Sequence, residues 1–300
     1  MATVYQAKKA AVQLLAEDQL EDGQSPQELK FAVNYLSFFG YVGLHLLKNL
    51  TLEDLRAAAK QFQKWFGLKQ DGIVGPKTVR AMQEPRCGCP DILDDEKKEH
   101  VEFLQMQEMV AEKRAKWSKS ALTYAIDGYV TGLSKQLQAE MIKAAFHSWT
   151  DHIDLEIHRC SISKAKDADI LVGVGRGKGH GFDGQGGTLA WAYLPRNDRQ
   201  LRMRFDLAET WVKKPFERGI HLQTVAAHEI GHLLGLKHSR QKGSLMAPYY
   251  NPFVGTPQMK DDISRVQKLY GPSGIPSPLT SSPTRTVEVG PGENLLIVGK

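Results

Sequence analysis

Between residues 228 and 238 the chain reads HEIGHLLGLKH, and this segment limits what the whole can fold into. His228 and His232 stand four apart, so on a helix they share one face with Cβ atoms about 5–6 Å apart. Both imidazoles then reach a single Zn²⁺ at about 2.0–2.1 Å. Glu229 sits about 100° round the helix from His228, close enough to act on a water at the metal without ligating it. Gly235 can take the positive φ that ends a helix, turning the chain so that His238 supplies a third nitrogen. Three protein ligands leave one position open, which is the layout of a catalytic rather than a structural site. Val225, Ala226, Ala227, Ile230, Leu233 and Leu234 make this helix apolar nearly all round. Two histidines and a glutamate buried there without a metal would be costly.

The rest of the chain must build a scaffold for that helix. Its 300 residues suggest two domains at about 100–200 residues each. Residues 27–85 read as a compact helical unit. One stripe runs through Phe31, Val33, Tyr35, Leu36, Phe39 and Tyr41. A second helix opens on the capping pattern Thr51-x-x-Asp54 and carries Leu52, Leu55, Ala59, Phe62 and Phe66. Pro76 starts a third, short helix with Val79 and Met82. Residues 91–116 are charge-dense with a weak helical period, as in an exposed connector. From about 117 the period falls to two. ALTYAID, DLEIHRC, ADILVGVG, GGTLAWAYLP and QLRMRFDL read as five short strands. In the last of these Leu201, Met203, Phe205 and Leu207 are expected on the buried face and Arg202, Arg204 and Asp206 on the wet one. Helices are expected over about 134–150, 222–234 and 260–269. Residues 272–300 are a Pro/Ser/Thr-rich linker and tail with no core-forming pattern. The class is α+β.

Composition removes several function classes. No apolar run approaches the roughly 18–20 residues needed to cross a bilayer. The net charge of +5, from 39 basic against 34 acidic residues, is spread along the chain and gives nucleic acid no basic face. Three cysteines are an odd count, so a disulfide-stapled scaffold is excluded and a free or metal-bound thiol is left over. The first residues carry no apolar core of a secretory signal, which leaves an intracellular location open.

HEIGHLLGLKHS followed by Ser244-Leu245-Met246-Ala247-Pro248 resembles the metzincin zinc site with its Met-turn, in the form found in the matrixins (matrix metalloproteinases). Pro85-Arg86-Cys87-Gly88-Cys89-Pro90-Asp91 resembles the matrixin cysteine switch. FQKWFGLKQDGIVGPKTVRAM before it resembles the family's propeptide, which shares its three-helix form with peptidoglycan-binding modules. The resemblance covers roughly residues 27–271. It implies a lead segment (1–26), a three-helix propeptide ending in the switch (27–90), an activation connector (91–116) and a metallopeptidase domain (117–271) with a twisted five-stranded sheet and three helices. It implies His228, His232 and His238 as ligands of the catalytic zinc, Glu229 as general base and Met246 as the floor beneath the metal. Cys87 would fill the fourth position in the latent form, with Arg86 and Asp91 holding the switch as a charge-assisted pair. Asp183, Gly184, Gly186, Thr188, Asp206 and Glu209 match the family's calcium positions, and three carboxylates with carbonyls suit that ion.

The sequence also departs from the family. Cys89 stands where Val or Asn is usual, so a competing thiol or a bond to Cys160 is open. No Arg-x-Lys-Arg site precedes Trp117; Lys113-Arg114 is a minimal basic pair. Trp191 and Arg204 replace two histidines of the family's second, structural zinc, leaving His180 alone, so one zinc per chain is expected. The implied function is a zinc endopeptidase made as a latent zymogen and acting on extracellular matrix-type proteins. Its partners would be a protein or peptide substrate, its own propeptide as inhibitor and an activating protease. A peptidoglycan-binding protein with a secondary zinc hydrolase domain and an intracellular zincin are the competing readings.

Overall fold

The structure, a computed structural model, describes residues 25–43, 45–92, 116–196 and 198–274. The lead segment up to residue 24, the connector over 93–115 with Lys113-Arg114, and the tail after 274 lie outside the described residues.

The helical unit is built from α1 (Pro26–Phe38), α2 (Leu52–Trp65) and α3 (Pro76–Met82). Ser25 caps α1 and exchanges hydrogen bonds with Glu28, while Thr51 does the same with Asp54 at the start of α2. Each box satisfies two backbone donors that a helix start would otherwise leave bare. The aromatic stripe is core: the Phe62 ring lies 5.5 Å from Tyr35, 5.6 Å from Tyr41 and 4.4 Å from Phe66.

A short strand, β1 (Arg86–Cys87), follows, and the second half adds β2 (Ala121–Ile126), α4 (Lys135–Thr150), β3 (Glu156–Arg159), β4 (Ile170–Gly175), β5 (Thr188–Ala192) and β6 (Leu201–Asp206). A two-residue pair, β7 (Trp211–Val212) and β8 (Ile220–His221), leads into α5 (Leu222–Leu233), and α6 (Ser264–Tyr270) closes the unit. The sheet order is β1-β5-β6-β4-β2-β3, with β5 antiparallel to β6 and every other neighbour parallel. The five expected strands are β2–β6. The sixth, β1, comes from the helical half and was not expected, because two residues carry no readable period.

Beneath the sheet α4 packs along α5. Trp149 is fully buried and donates its indole N–H to the Ala227 carbonyl at 2.8 Å, and Trp117 does the same to Leu233 at 2.8 Å. Two large side chains thus anchor the motif helix, one at its middle and one at its C-terminal end.

Two expectations need correction, and one open alternative closes. β6 alternates as expected only to Phe205: Asp206 is fully buried and Leu207 is half-buried. The strand ends there, and the Asp206 carboxylate turns back to accept from the Ala208 N–H at 2.8 Å. The helix expected from 260 begins as a wider π turn over Met259–Ile263 before α6. A Cys89–Cys160 bond is excluded. Cys89 follows β1 and Cys160 follows β3, at opposite edges of the six-stranded sheet, whose neighbouring strands lie about 4.8 Å apart. All three thiols are free.

Candidate active site and metal centre

The geometry of the motif follows from the local sequence. α5 places His228 and His232 one turn apart, and their ring centroids are 5.0 Å apart. The helix stops at Leu233, Gly235 takes a φ of 98°, and the chain reverses to bring His238 within 4.8 Å of His232, ring to ring. Each imidazole is then turned by a bond at its outer nitrogen. His228 Nδ1 donates to the Leu245 carbonyl (2.7 Å), His232 Nδ1 to the Leu236 carbonyl (2.7 Å) and His238 Nδ1 to an Asp91 oxygen (2.8 Å). The three Nε2 lone pairs are left facing one another, and those of His228 and His238 are buried without a partner. Three convergent nitrogens, two of them without a partner and all fixed by outer hydrogen bonds, are the donor set that a divalent zinc ion fits. Burial, with the neighbouring His238, pushes His228 down to about 3, so the ring stays neutral and able to ligate.

Cys87 completes the cluster. Its sulfur lies 3.5 Å from His232 Nε2, and the four ligand atoms of Cys87, His228, His232 and His238 are all within 4.8 Å of one another. Burial pushes the Cys87 thiol up in the bare protein, whereas a coordinated cation would deprotonate it. The backbone fixes this position from both sides. Arg86 N–H donates to Gly187 and Gly88 N–H to Ala190 along β5, while Cys87 N–H donates to Pro248 and Tyr250 N–H to Pro85 on the facing wall.

Glu229 is fully buried, and neither carboxylate oxygen has a hydrogen-bond partner. Burial raises its pKa well above the usual carboxylate range. Gly231 lets Met246 pack closely against α5 between His228 and His232: a Cβ there would stand 2.2 Å from Met246 Sδ and 2.9 Å from the Trp149 ring. The Met-turn itself hangs on Asp262, which is fully buried and accepts from the Ser244 hydroxyl and from the N–H groups of Leu245, Met246 and Gln258. Gly231 and Asp262 escaped the sequence reading. An acidic pair opening an expected helix, Asp261-Asp262, was the available signal for the second.

Arg86 and Asp91 form a buried pair at 2.6 Å, with side chains 2% and 0% exposed. Tyr41 OH donates to the second Asp91 oxygen at 2.8 Å, and Arg86 lies 3.5 Å over the Phe39 ring and donates to Tyr35 OH. Burial acts to raise the Asp91 carboxyl, but Arg86 and the hydrogen bond from His238 outweigh it and hold it at about 2. Asp91 thus ties the switch and a zinc-type histidine to one carboxylate, which sequence spacing did not show.

The calcium-type residues gather around the 183–188 loop. Asp183 accepts from Thr188 N–H (2.7 Å) and Glu209 from Gly186 N–H (2.6 Å). Asp206 Oδ2 is buried without a partner. Burial raises the pKa of Asp206 and of Glu209, and neighbouring carboxylates add to it. Clustered, under-neutralised oxygens of this kind fit a hard cation. They do not come as close together as the histidine–cysteine group. At the other departure, Trp191 and Arg204 face each other across β5 and β6. The Trp191 indole donates to the His180 carbonyl (2.8 Å), and Arg204 pairs with Asp127 at 2.8 Å.

Among the described residues no helix is long and apolar enough to cross a membrane. The matrixin family model matches residues 116–271, and the model described as "Putative peptidoglycan binding domain" matches residues 25–82. Matrilysin of Rattus norvegicus is 36% identical over 249 residues, covering 80% of this chain and 84% of the relative. Matrix metalloproteinase-18 of Xenopus laevis is 36% identical over 278 residues (90% and 56%), and interstitial collagenase A of Mus musculus 33% over 265 residues (86% and 53%). The chain spans about half the length of these last two relatives. With a matching family model over more than half its length, and a histidine–cysteine cluster behind a propeptide-like helical unit, this chain belongs to the matrixins.

Proposed function

We propose that the chain is a latent zinc endopeptidase that acts on extracellular matrix-type proteins once an activating protease releases its helical unit. The observation that carries this reading is the convergence of three oriented imidazoles with the thiol of a strand threaded through the cleft. Zinc held by His228, His232 and His238 supplies a Lewis acid that polarises a scissile carbonyl and lowers the pKa of a water towards 7. Glu229, with both oxygens unengaged, takes the proton of the attacking water and delivers it to the leaving amine. An extended substrate takes the edge of β5 that Arg86 and Gly88 now occupy, pairing by main-chain bonds. The cleft walled by Leu189, Thr224, Val225, Leu245, Tyr250 and Val254 then receives the side chain after the cut.

Calcium belongs to the same reading. Asp183, Asp206 and Glu209, with carbonyls of Gly184, Gly186 and Thr188, would hold it and tie the loop to the end of β6. The wall-binding alternative is not favoured, because the helical unit is engaged with the cleft: the Tyr249 ring lies 4.6 Å from Phe66, and Arg240 sits 4.5 Å over the Trp65 ring.

The test is latency without cleavage. Cys87→Ser in the full chain should hydrolyse a peptide while uncut, since a hydroxyl is a much poorer zinc ligand than a thiolate, and Cys89→Ser should stay latent. A zinc-loaded Cys87→Ser chain as inactive as its parent would overturn the reading.

A further inference from the structure

Beside the latent-state thiol stands a second one with no task in that scheme. Cys87 and Cys89 are both buried and both free. Their sulfurs lie within 4.8 Å of each other, in a group that includes Glu229 and His232. The chain bends between them, so that the Cys89 N–H donates to Cys87 Sγ at 3.3 Å, while the Cys89 thiol donates to the Ala192 carbonyl at 3.3 Å. Two residues span at most about 7 Å even when fully extended. The bend therefore brings the two Cα atoms towards the separation of about 4.4–6.8 Å that a disulfide uses. Gly88 between them adds no side chain to obstruct the closure. The third cysteine cannot compete, because Cys160 lies at the far edge of the sheet.

We propose that Cys87 and Cys89 are a peroxide-responsive dithiol, whose oxidation to a disulfide takes Cys87 from the fourth zinc position and opens the zymogen without cleavage. This inference rests on the latency reading above. The chemistry balances with hydrogen peroxide as oxidant. The Cys87 sulfur attacks one peroxide oxygen, the O–O bond breaks, and water leaves a sulfenic acid. The Cys89 sulfur then attacks Cys87 Sγ; the S–S bond forms, the S–O bond breaks, and hydroxide departs with the Cys89 proton as a second water. Two thiols lose two electrons in all, and one peroxide becomes two waters. Cys87 lines the cleft shared by His228 and Glu229, which gives a small peroxide its approach. A disulfide sulfur is neutral and a weak metal ligand, so three histidines keep the zinc while its fourth position opens. A thiol reductant reverses the change by exchange.

The experiment uses the full zinc-loaded chain, uncut, titrated with hydrogen peroxide. Peptide mapping should find Cys87 linked to Cys89 with the loss of two hydrogens and zinc retained. Peptide hydrolysis should rise with the fraction of chains linked, and dithiothreitol should return it to baseline. In Cys89→Ser, and in Cys89→Ala as a second variant, Cys87 has no resolving partner. Oxidation there should add oxygen to Cys87, and dithiothreitol should no longer restore latency after high peroxide, because sulfinic acid is not reduced by thiols. If no Cys87–Cys89 link forms at peroxide doses that oxidise the more exposed Cys160, the proposal is overturned, and so it is if Cys89→Ser, after high peroxide, is still returned to latency by dithiothreitol as fully as the parent. Failure of latency itself would appear separately, as an inactive Cys87→Ser chain.

Discussion

Asp91→Asn is the substitution that most directly tests how the switch is held. The change is nearly isosteric but removes the negative charge from a pair at 2.6 Å whose side chains are 2% and 0% exposed. Breaking a buried pair from one side costs about 3–5 kcal/mol, because the remaining charge is left uncompensated. Arg86 retains Tyr35 OH at 2.5 Å, the Cys87 carbonyl at 3.1 Å and the Phe39 ring at 3.5 Å; the amide oxygen can still accept where His238 donates, while its NH2 faces the Tyr41 hydroxyl, which can turn to accept from it. The loss should therefore sit at the low end, about 3 kcal/mol, which is about a hundredfold in the closed-to-open ratio of the switch. It falls on the docked state alone, since a released Arg86 is solvated. Iodoacetamide alkylation of Cys87 in the uncut, zinc-loaded chain reads the open fraction and should quicken by about that factor, with peptide hydrolysis rising alongside. A rate within about threefold of the parent would reduce the pair to the 0–1 kcal/mol of an exposed ion pair and refute the reasoning.

Glu229→Ala should keep zinc and fold while turnover of the activated enzyme falls by about 10²–10⁴-fold, as measured by peptide hydrolysis with metal analysis; near-normal turnover at full zinc occupancy would remove Glu229 from the mechanism. Since that carboxyl is buried and unpartnered, the variant should melt no lower than its parent. Gly231→Ala forces a Cβ against Met246 and should cost about 1–3 kcal/mol in denaturant unfolding, the usual penalty for overpacking; an unchanged midpoint would show that the Met-turn yields. Metal analysis of residues 117–272 should give one zinc per chain, because Arg204 and Trp191 are engaged with Asp127 and His180 where the family's second zinc would sit. Two zincs would overturn that. Removing calcium should lower the melting temperature of the same fragment, and Asp206→Asn should abolish the difference.

What the sequence determined by itself was everything carried by local period and spacing. The i, i+4 histidines, the reversal at Gly235, the capping box at Thr51 and Asp54, and the five short strands each depend on neighbours within about a turn or a strand, so they were legible residue by residue. The matrixin likeness added the roles of Cys87, Arg86 and Asp91, but not how they meet the rest. Only the tertiary structure decided that Arg86–Cys87 becomes a sixth strand between β5 and Pro248, since two residues have no period and take their conformation from the edges on either side. It decided that Asp91 serves Arg86, Tyr41 and His238 together, partners 5, 50 and 147 positions away. It also decided that Asp206 is buried where strand alternation put it in water, and that Asp262 holds the Met-turn. A buried carboxylate must find compensating donors or a cation wherever the packed chain provides them, and those partners are chosen by the meeting of distant elements, which no local pattern records.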